Sequence, residues 1–214
     1  MEIHLLKNQD NSTIIDSVVS ILKNGGIGIF PTDTVYGVGC DCLNIDAINK
    51  LYVSKKREFK KPINILVSNI NMVDKFVKNI NPIEQKLIEY FWPGALTIIF
   101  DKTNLVSNLL TSNLPTVGIR MPNNKICLYL IEKYGSPLAT TSANLSDETP
   151  ALSISDKLKQ DFNNSVDFIM DSGELNGKPS TIVRVENNEI IILRTGSITK
   201  SDIQKCFGGN INVR

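Results

Sequence analysis

A mixed α/β sheet with helices packed on it is the fold class this sequence predicts, and three observations predict it. Stretches with apolar residues at helical spacing alternate with short continuous apolar runs. Two of those runs, ending at Pro31 and at Thr141, pass straight into polar, hydroxyl-bearing exits, as buried strands of an open α/β sheet do at their ligand-facing ends. Near the end of the chain Thr181–Val185 and Glu189–Arg194 flank Asn187-Asn188, a hairpin turn, so the sheet is mixed rather than purely parallel. At 214 residues the chain can bury a core of ordinary size, and a single domain over 1–214 is expected.

In chain order, Asn11–Asn24 places Ile14, Ile15, Val18, Val19 and Leu22 on one helical face, with Asn11 or Ser12 as cap and Gly25-Gly26 as stop. The apolar run Ile27, Ile29, Phe30 is a buried strand that exits through Pro31 into Thr32–Thr34, and the glycines at 37 and 39 read as part of that exit. Asp46–Lys55 is a second helix with Ala47, Ile48, Leu51 and Tyr52 inward, ending in the basic run Ser54–Arg57. Cations favour a helix carboxyl end for dipole reasons, so capping and function are both open there. Pro62 introduces the strand Ile63–Val67. A short helix spans Asn71–Val77 and a longer one Asn81–Phe91, with Asn81 as cap, Pro82 in the first turn and Glu84 at the capping-box position. After the break at Trp92-Pro93-Gly94 come the strand Ala95–Phe100 and a polar connection, Asp101–Pro115, suited to a movable loop. Val117–Arg120 is a strand that delivers an arginine. Asn124–Tyr134 is a helix, Pro137–Thr141 a strand with the exit Ser142–Asn144, Ser155–Phe162 a helix, and Val166–Met170 a strand. The glycine-marked loop Asp171–Lys178 leads into the hairpin, and a helix from Thr199 to Phe207 closes the chain.

Composition removes several function classes. Lys plus Arg number 23 against 22 Asp plus Glu, a net charge of +1, so any anion site is local and no global field advertises nucleic acid or membrane. Cys40, Cys42, Cys127 and Cys206 form no paired C-x-x-C clusters and read as buried free thiols of a reducing compartment. His4 is the only histidine, which leaves zinc hydrolases and histidine-based triads poorly supported. No segment approaches the ~20 apolar residues of a membrane span, and Met1–Asp10 lacks a signal-peptide core, so a cytoplasmic protein is expected.

The unusual content sits at element exits: Thr32–Thr34, Lys55–Arg57, Arg120, Ser142–Asn144, then Ser180-Thr181 and Arg194. If they converge, they form a trap for polyphosphate or carboxylate. Neither a G-x-x-x-x-G-K-[ST] loop nor a G-x-G-x-x-G is present, so side chains would hold the phosphates.

PTDTVYGVG from Pro31, Lys55-Lys56-Arg57 with Pro62 behind it, WPGALT from Trp92, VGIRMP from Val117, TTSAN from Thr140, PSTIV from Pro179 and LRTGSI from Leu193 resemble the YrdC family in order and spacing, over about residues 10–207. The resemblance implies a twisted open mixed sheet with a concave cationic cleft, in the short single-domain form. It implies the activity of a threonylcarbamoyl-AMP synthase, a nucleotidyltransferase that joins L-threonine, bicarbonate and ATP and releases pyrophosphate. That is the first step toward the threonylcarbamoyladenosine (t6A) of tRNA. By motif position, Lys55, Arg57, Thr116, Ser142, Asn144, Pro150 and Arg194 would bind ATP, with Lys55 and Arg57 catalytic. Thr32, Arg120, Thr140 and Ser180 would surround threonine, Arg120 facing its carboxylate. The implied cofactor is Mg²⁺ carried by ATP, with no organic cofactor and no protein side chain as metal ligand. Implied partners are the small-molecule substrates, a transient handover to the tRNA threonylcarbamoyltransferase complex and weak RNA binding.

The chemistry needs no side-chain nucleophile. The threonine amine takes up CO₂ or bicarbonate, the carbamate oxygen attacks the α-phosphorus, and positioning with charge neutralisation carries the rate. The mixed-anhydride product is labile, so Asp101–Pro115 or Ser146–Ser153 is a candidate lid. Two positions depart from the family: Leu66 stands where many members carry histidine, and Glu58 where proline is common. The competing reading is an RNA-binding module without adenylylating activity, which the near-neutral charge disfavours. Carbamoyl transfer, as in related domains of hydrogenase maturation proteins, would require accessory modules without counterparts in this sequence.

Overall fold

The computed structural model describes residues 1–6 and 11–214; the part of the Met1–Asp10 reading that concerns 7–10 lies outside them. The chain opens with strand β1 (Glu2–Leu5) and helix α1 (Ser12–Lys23), whose Ile15, Val18, Val19 and Leu22 are buried at the spacing the sequence shows. Gly25, at φ +75°, ends the helix where a side chain would be strained. Strand β2 (Gly28–Phe30) and strand β3 (Gly37–Asp41) follow, then helix α2 (Ile45–Ser54) and strand β4 (Asn64–Leu66). The predicted short helix is a 3₁₀ turn, Ile70–Lys75. Helix α3 (Pro82–Phe91) carries the expected capping box: the Asn81 side chain accepts from the N–H groups of Ile83 and Glu84, and the Glu84 carboxylate accepts from Asn81 N–H.

Strands β5 (Leu96–Asp101) and β6 (Thr116–Arg120), helix α4 (Lys125–Tyr134), strand β7 (Leu138–Ser142), helix α5 (Asp156–Asp161) and strand β8 (Phe168–Asp171) complete the middle of the chain. Strands β9 (Thr181–Glu186) and β10 (Glu189–Arg194) form the hairpin, with Asn187 and Asn188 both at positive φ as a tight two-residue turn requires. Helix α6 (Lys200–Cys206) is capped by Thr199 and Asp202.

Two strands differ from the sequence expectation. β1 is short and mostly exposed, and becomes a strand by pairing in parallel with β8. β3 is a strand where its glycines read as a loop. It pairs antiparallel with β2 and β7, and a Cβ on Gly37 or Gly39 would come within 2.8 Å of the Thr140 side chain. Those glycines answer a close approach between neighbouring strands.

Among the described residues the strands form one mixed sheet in the order β1-β8-β2-β3-β7-β4-β6-β5-β9-β10. Strand alternation divides its residues between two faces. On one face Ile29, Val38, Cys40, Ile65, Ile119 and Ala139 pack in a core with α2, α3, α5 and α6. On the other, α1 and α4 cover Phe30, Leu66, Leu138, Phe168 and Met170. The opposite half of that second face, from β4 to β10, carries Asn64, Thr97, Ile99, Gly118 and Ile182 into an open cleft. The helices thus bury one half of the face and leave the other open. No helix among the described residues is long and apolar enough to cross a membrane.

Candidate active site

The cleft has a volume of about 740 Å³ and is walled by the exits of β2, β7 and β6 and by the hairpin. After β2, Thr32 and Thr34 turn inward. Their hydroxyls lie 3.0 Å apart, and Thr32 donates to the Val35 carbonyl at 2.6 Å while accepting from Thr34 N–H at 3.1 Å. Arg120, at the end of β6, is 6% exposed. It donates from Nε to the Gly94 carbonyl at 2.9 Å, from Nη1 to Thr34 Oγ1 at 2.9 Å, and from Nη2 to the Asp33 carboxylate, with which it forms an ion pair. Burial lowers the Arg120 pKa while Asp33 opposes that shift. Three of its five N–H donors are thereby used, and two remain for a ligand.

The second cluster joins the end of α2 to the exit of β7. Lys55 is 1% exposed. Its ammonium donates to the carbonyl of Ser142, to that of Asn144 at 2.6 Å, and to Asn144 Oδ1 at 3.4 Å. Asn144 in turn donates from Nδ2 to the carbonyls of Leu145 at 2.6 Å and Glu148 at 2.9 Å, which fixes the following loop. Arg57 lies in the cleft wall, held by bonds to the carbonyls of Lys61 at 3.1 Å and Pro62 at 2.8 Å, and makes no ion pair among the described residues. Opposite, Arg194 donates to the Ser180 carbonyl at 2.8 Å and to its hydroxyl at 3.1 Å; that hydroxyl also meets Thr97 Oγ1 at 2.9 Å. Burial lowers the Arg194 pKa, and the positive charge of Arg120 adds to the effect. The two guanidinium groups therefore share one neighbourhood.

Of the residues singled out in the sequence, Thr32, Arg57, Thr116, Arg120, Thr140, Ser142, Pro150, Ser180 and Arg194 all line this cleft. Asn144 and Lys55 lie behind the wall, joined to it through Ser142. The sequence reading singled out the exit Thr32–Thr34 but gave a role only to Thr32, and it missed Asn64. Asn64 had a signal: it is the one polar residue in the run Ile63–Val67, and its side chain faces the cleft against Gly118. Leu66 pairs in register with Arg120 and packs with Phe30 and Leu138, so an apolar surface adjoins that arginine. The segment after β5 is anchored: Leu110 is fully buried and its carbonyl accepts from Ile63 N–H at 2.9 Å. All four cysteines are free and buried, and burial raises the pKa of Cys40 and Cys127.

Burial, with Arg57 nearby, pulls the Lys55 ammonium down from 10.5 to about 7. Below that pH the folded and unfolded chains both hold the proton and the burial penalty stands in full. Between about 7 and 10.5 the unfolded chain binds a proton that the folded one has released, so the Lys55 contribution to unfolding free energy rises with pH. Denaturant titrations of wild type and Lys55→Met across this range should show the wild-type stability gaining on the variant as pH rises; parallel curves would contradict the burial.

The family described as telomere recombination (Sua5, YciO, YrdC) matches residues 20–196. The chain is 33% identical over 207 residues to a putative threonylcarbamoyl-AMP synthase of Methanocaldococcus jannaschii, covering 96% of this chain and 97% of that one. It is 33% identical to the threonylcarbamoyl-AMP synthase of Bacillus subtilis over 200 residues, covering 92% of this chain and 58% of that protein. The crystal structure of P. abyssi Sua5 complexed with L-threonine superposes with a TM-score of 0.94 at 29% identity, over 100% of this chain and 63% of that one. The chain thus spans nearly all of one relative and about three fifths of the other two.

Proposed function

Because the chain belongs to the Sua5–YciO–YrdC family, we propose that it is a nucleotidyltransferase that makes threonylcarbamoyl-AMP and pyrophosphate from L-threonine, bicarbonate and ATP. The observation that carries this reading is the meeting, in one cleft, of a cluster around Arg120 with a second cluster around Arg57, Ser142 and Arg194. Relatives that carry the name of this activity, and the threonine complex of one of them, support it.

In this reading the two unused donors of Arg120 take the threonine carboxylate, a fork that matches it in plane and charge. Thr32, Thr140 and Ser180 line the space around the amino acid. Bicarbonate gives CO₂ and hydroxide; the neutral amine adds to the CO₂ carbon, its proton leaves with the hydroxide as water, and the resulting carbamate oxygen attacks the α-phosphorus while the bond to the β-phosphate oxygen breaks. Arg57 and Arg194, both held by backbone carbonyls, face the phosphates at no reorganisation cost in the transition state. Thr116 and Pro150 border the nucleotide. Lys55 holds the Ser142 and Asn144 carbonyls in place from beneath. Among the described residues no group of three or more His, Cys, Asp or Glu could hold a metal, and Glu186, in the lining, is paired with Arg184 at 3.0 Å. A Mg²⁺ ion carried by the triphosphate would offset part of its charge. The labile product would pass to the enzyme that modifies tRNA adenosine.

Pyrophosphate release tests the proposal: it should require threonine and bicarbonate together. Equal release with either omitted would reject it.

A further inference from the structure

Residues 172–180 form no helix or strand, yet they are tied down along their length. The Tyr36 hydroxyl, in the core beneath them, donates to the Gly173 carbonyl at 2.7 Å and accepts from Ser172 N–H at 2.9 Å. Leu175 N–H donates to the Leu152 carbonyl at 2.7 Å. Ser197 donates from its hydroxyl to the Lys178 carbonyl at 2.9 Å and from its N–H to the Pro179 carbonyl at 3.0 Å. Between these ties Gly177 lies directly on the backbone of Thr34. A Cβ there would fall 2.6 Å from the Thr34 carbonyl carbon and nearer still to its oxygen and Cα. The backbone at Gly177 is not left-handed, so the glycine answers space alone. Thr34 is also the residue whose hydroxyl meets both Arg120 and Thr32.

We infer that Gly177 and Tyr36 are positioning residues for the amino-acid subsite: Tyr36 anchors the 172–180 strap, and Gly177 lets it press the Thr34 backbone into register with Arg120. The inference rests on the function proposed above. A methyl group at 177 must displace either the strap or Thr34. The strap is fixed on both sides, so Thr34 moves and its hydroxyl loses alignment with Arg120 and Thr32. A small displacement of a positioning group has a large kinetic effect. Of the nucleotide cluster, Arg57 and Ser142 belong to other element exits and share none of these hydrogen bonds, while Arg194 meets the strap at its end, Ser180, beyond the ties at Lys178 and Pro179.

The test compares Gly177→Ala and Tyr36→Phe with wild type in KM for threonine, KM for ATP, and hydrogen exchange at the Thr34 amide without substrates. Expected is a rise in the threonine KM of about tenfold in Gly177→Ala and a smaller rise in Tyr36→Phe, with the ATP KM within about twofold and faster exchange at Thr34 in both. An unchanged threonine KM in a folded Gly177→Ala protein, or a parallel rise in both KM values, overturns the inference. If Gly177→Ala fails to fold, Tyr36→Phe decides by the same readouts. Absence of threonine-dependent turnover in wild type would defeat the proposed function instead; exchange at Thr34 then decides whether the strap pins that residue, and unaltered exchange overturns the inference.

Discussion

Arg57→Ala is expected to cut pyrophosphate release in the presence of threonine, bicarbonate and ATP by an order of magnitude or more, a loss of about 2–3 kcal/mol of transition-state stabilisation. The guanidinium is fastened through Nε and Nη2 to the carbonyls of Lys61 and Pro62. Its fork is therefore aimed before any ligand arrives, and it forms no ion pair among the described residues. Burial pulls its pKa below the ordinary arginine value, yet a guanidinium starting that high stays charged at neutral pH. Arg57→Lys keeps the charge and loses the fork, so its rate should fall between wild type and alanine. Undiminished turnover in Arg57→Ala would remove the arginine from the mechanism.

Arg120→Ala has two effects that can be separated. Catalysis should fall by about a hundredfold or more in kcat/KM for threonine, since truncating one partner of a buried, hydrogen-bonded charge pair typically costs about 2–5 kcal/mol. Stability should fall as well, by about 3–5 kcal/mol, because Asp33 is left as a poorly hydrated carboxylate without its partner. Adding Asp33→Asn to Arg120→Ala removes that stranded charge. The double variant should recover much of the unfolding free energy while its threonine-dependent turnover stays lost. Recovery of turnover together with stability would mean that Arg120 serves the fold and leaves the substrate to other groups.

Much of this architecture was legible because each signal was local. Asn81, Asn124 and Ser155 announce helices by chemistry contained within a turn, and each side chain accepts the backbone bonds expected of a cap. Cleft residues were legible where a polar group breaks an apolar run or ends it, as with Thr32, Arg120 and Ser142. The rest depended on partners distant in sequence. Asp33 and Arg120 lie 87 residues apart, and nothing near either one specifies the pair. Lys55 at a helix end read equally well as surface capping, and only the fold brings the β7 exit over it. Gly37 and Gly39 looked like loop residues because a glycine needed for space and one needed for a turn are the same letter. β1 owes its existence to β8, and its four residues carry no pattern of their own.

The central claim is that amino acid and nucleotide meet in one cleft and leave it joined through a carbamate. Mass spectrometry of the products formed from ATP, isotope-labelled bicarbonate and a mixture of amino acids tests this most directly. The account predicts an adenylate that carries threonine linked through one labelled carbonyl, formed far in excess of any serine or valine counterpart and absent without bicarbonate. An unlabelled aminoacyl adenylate, equal yields from serine and valine, or no adenylate at all would contradict it.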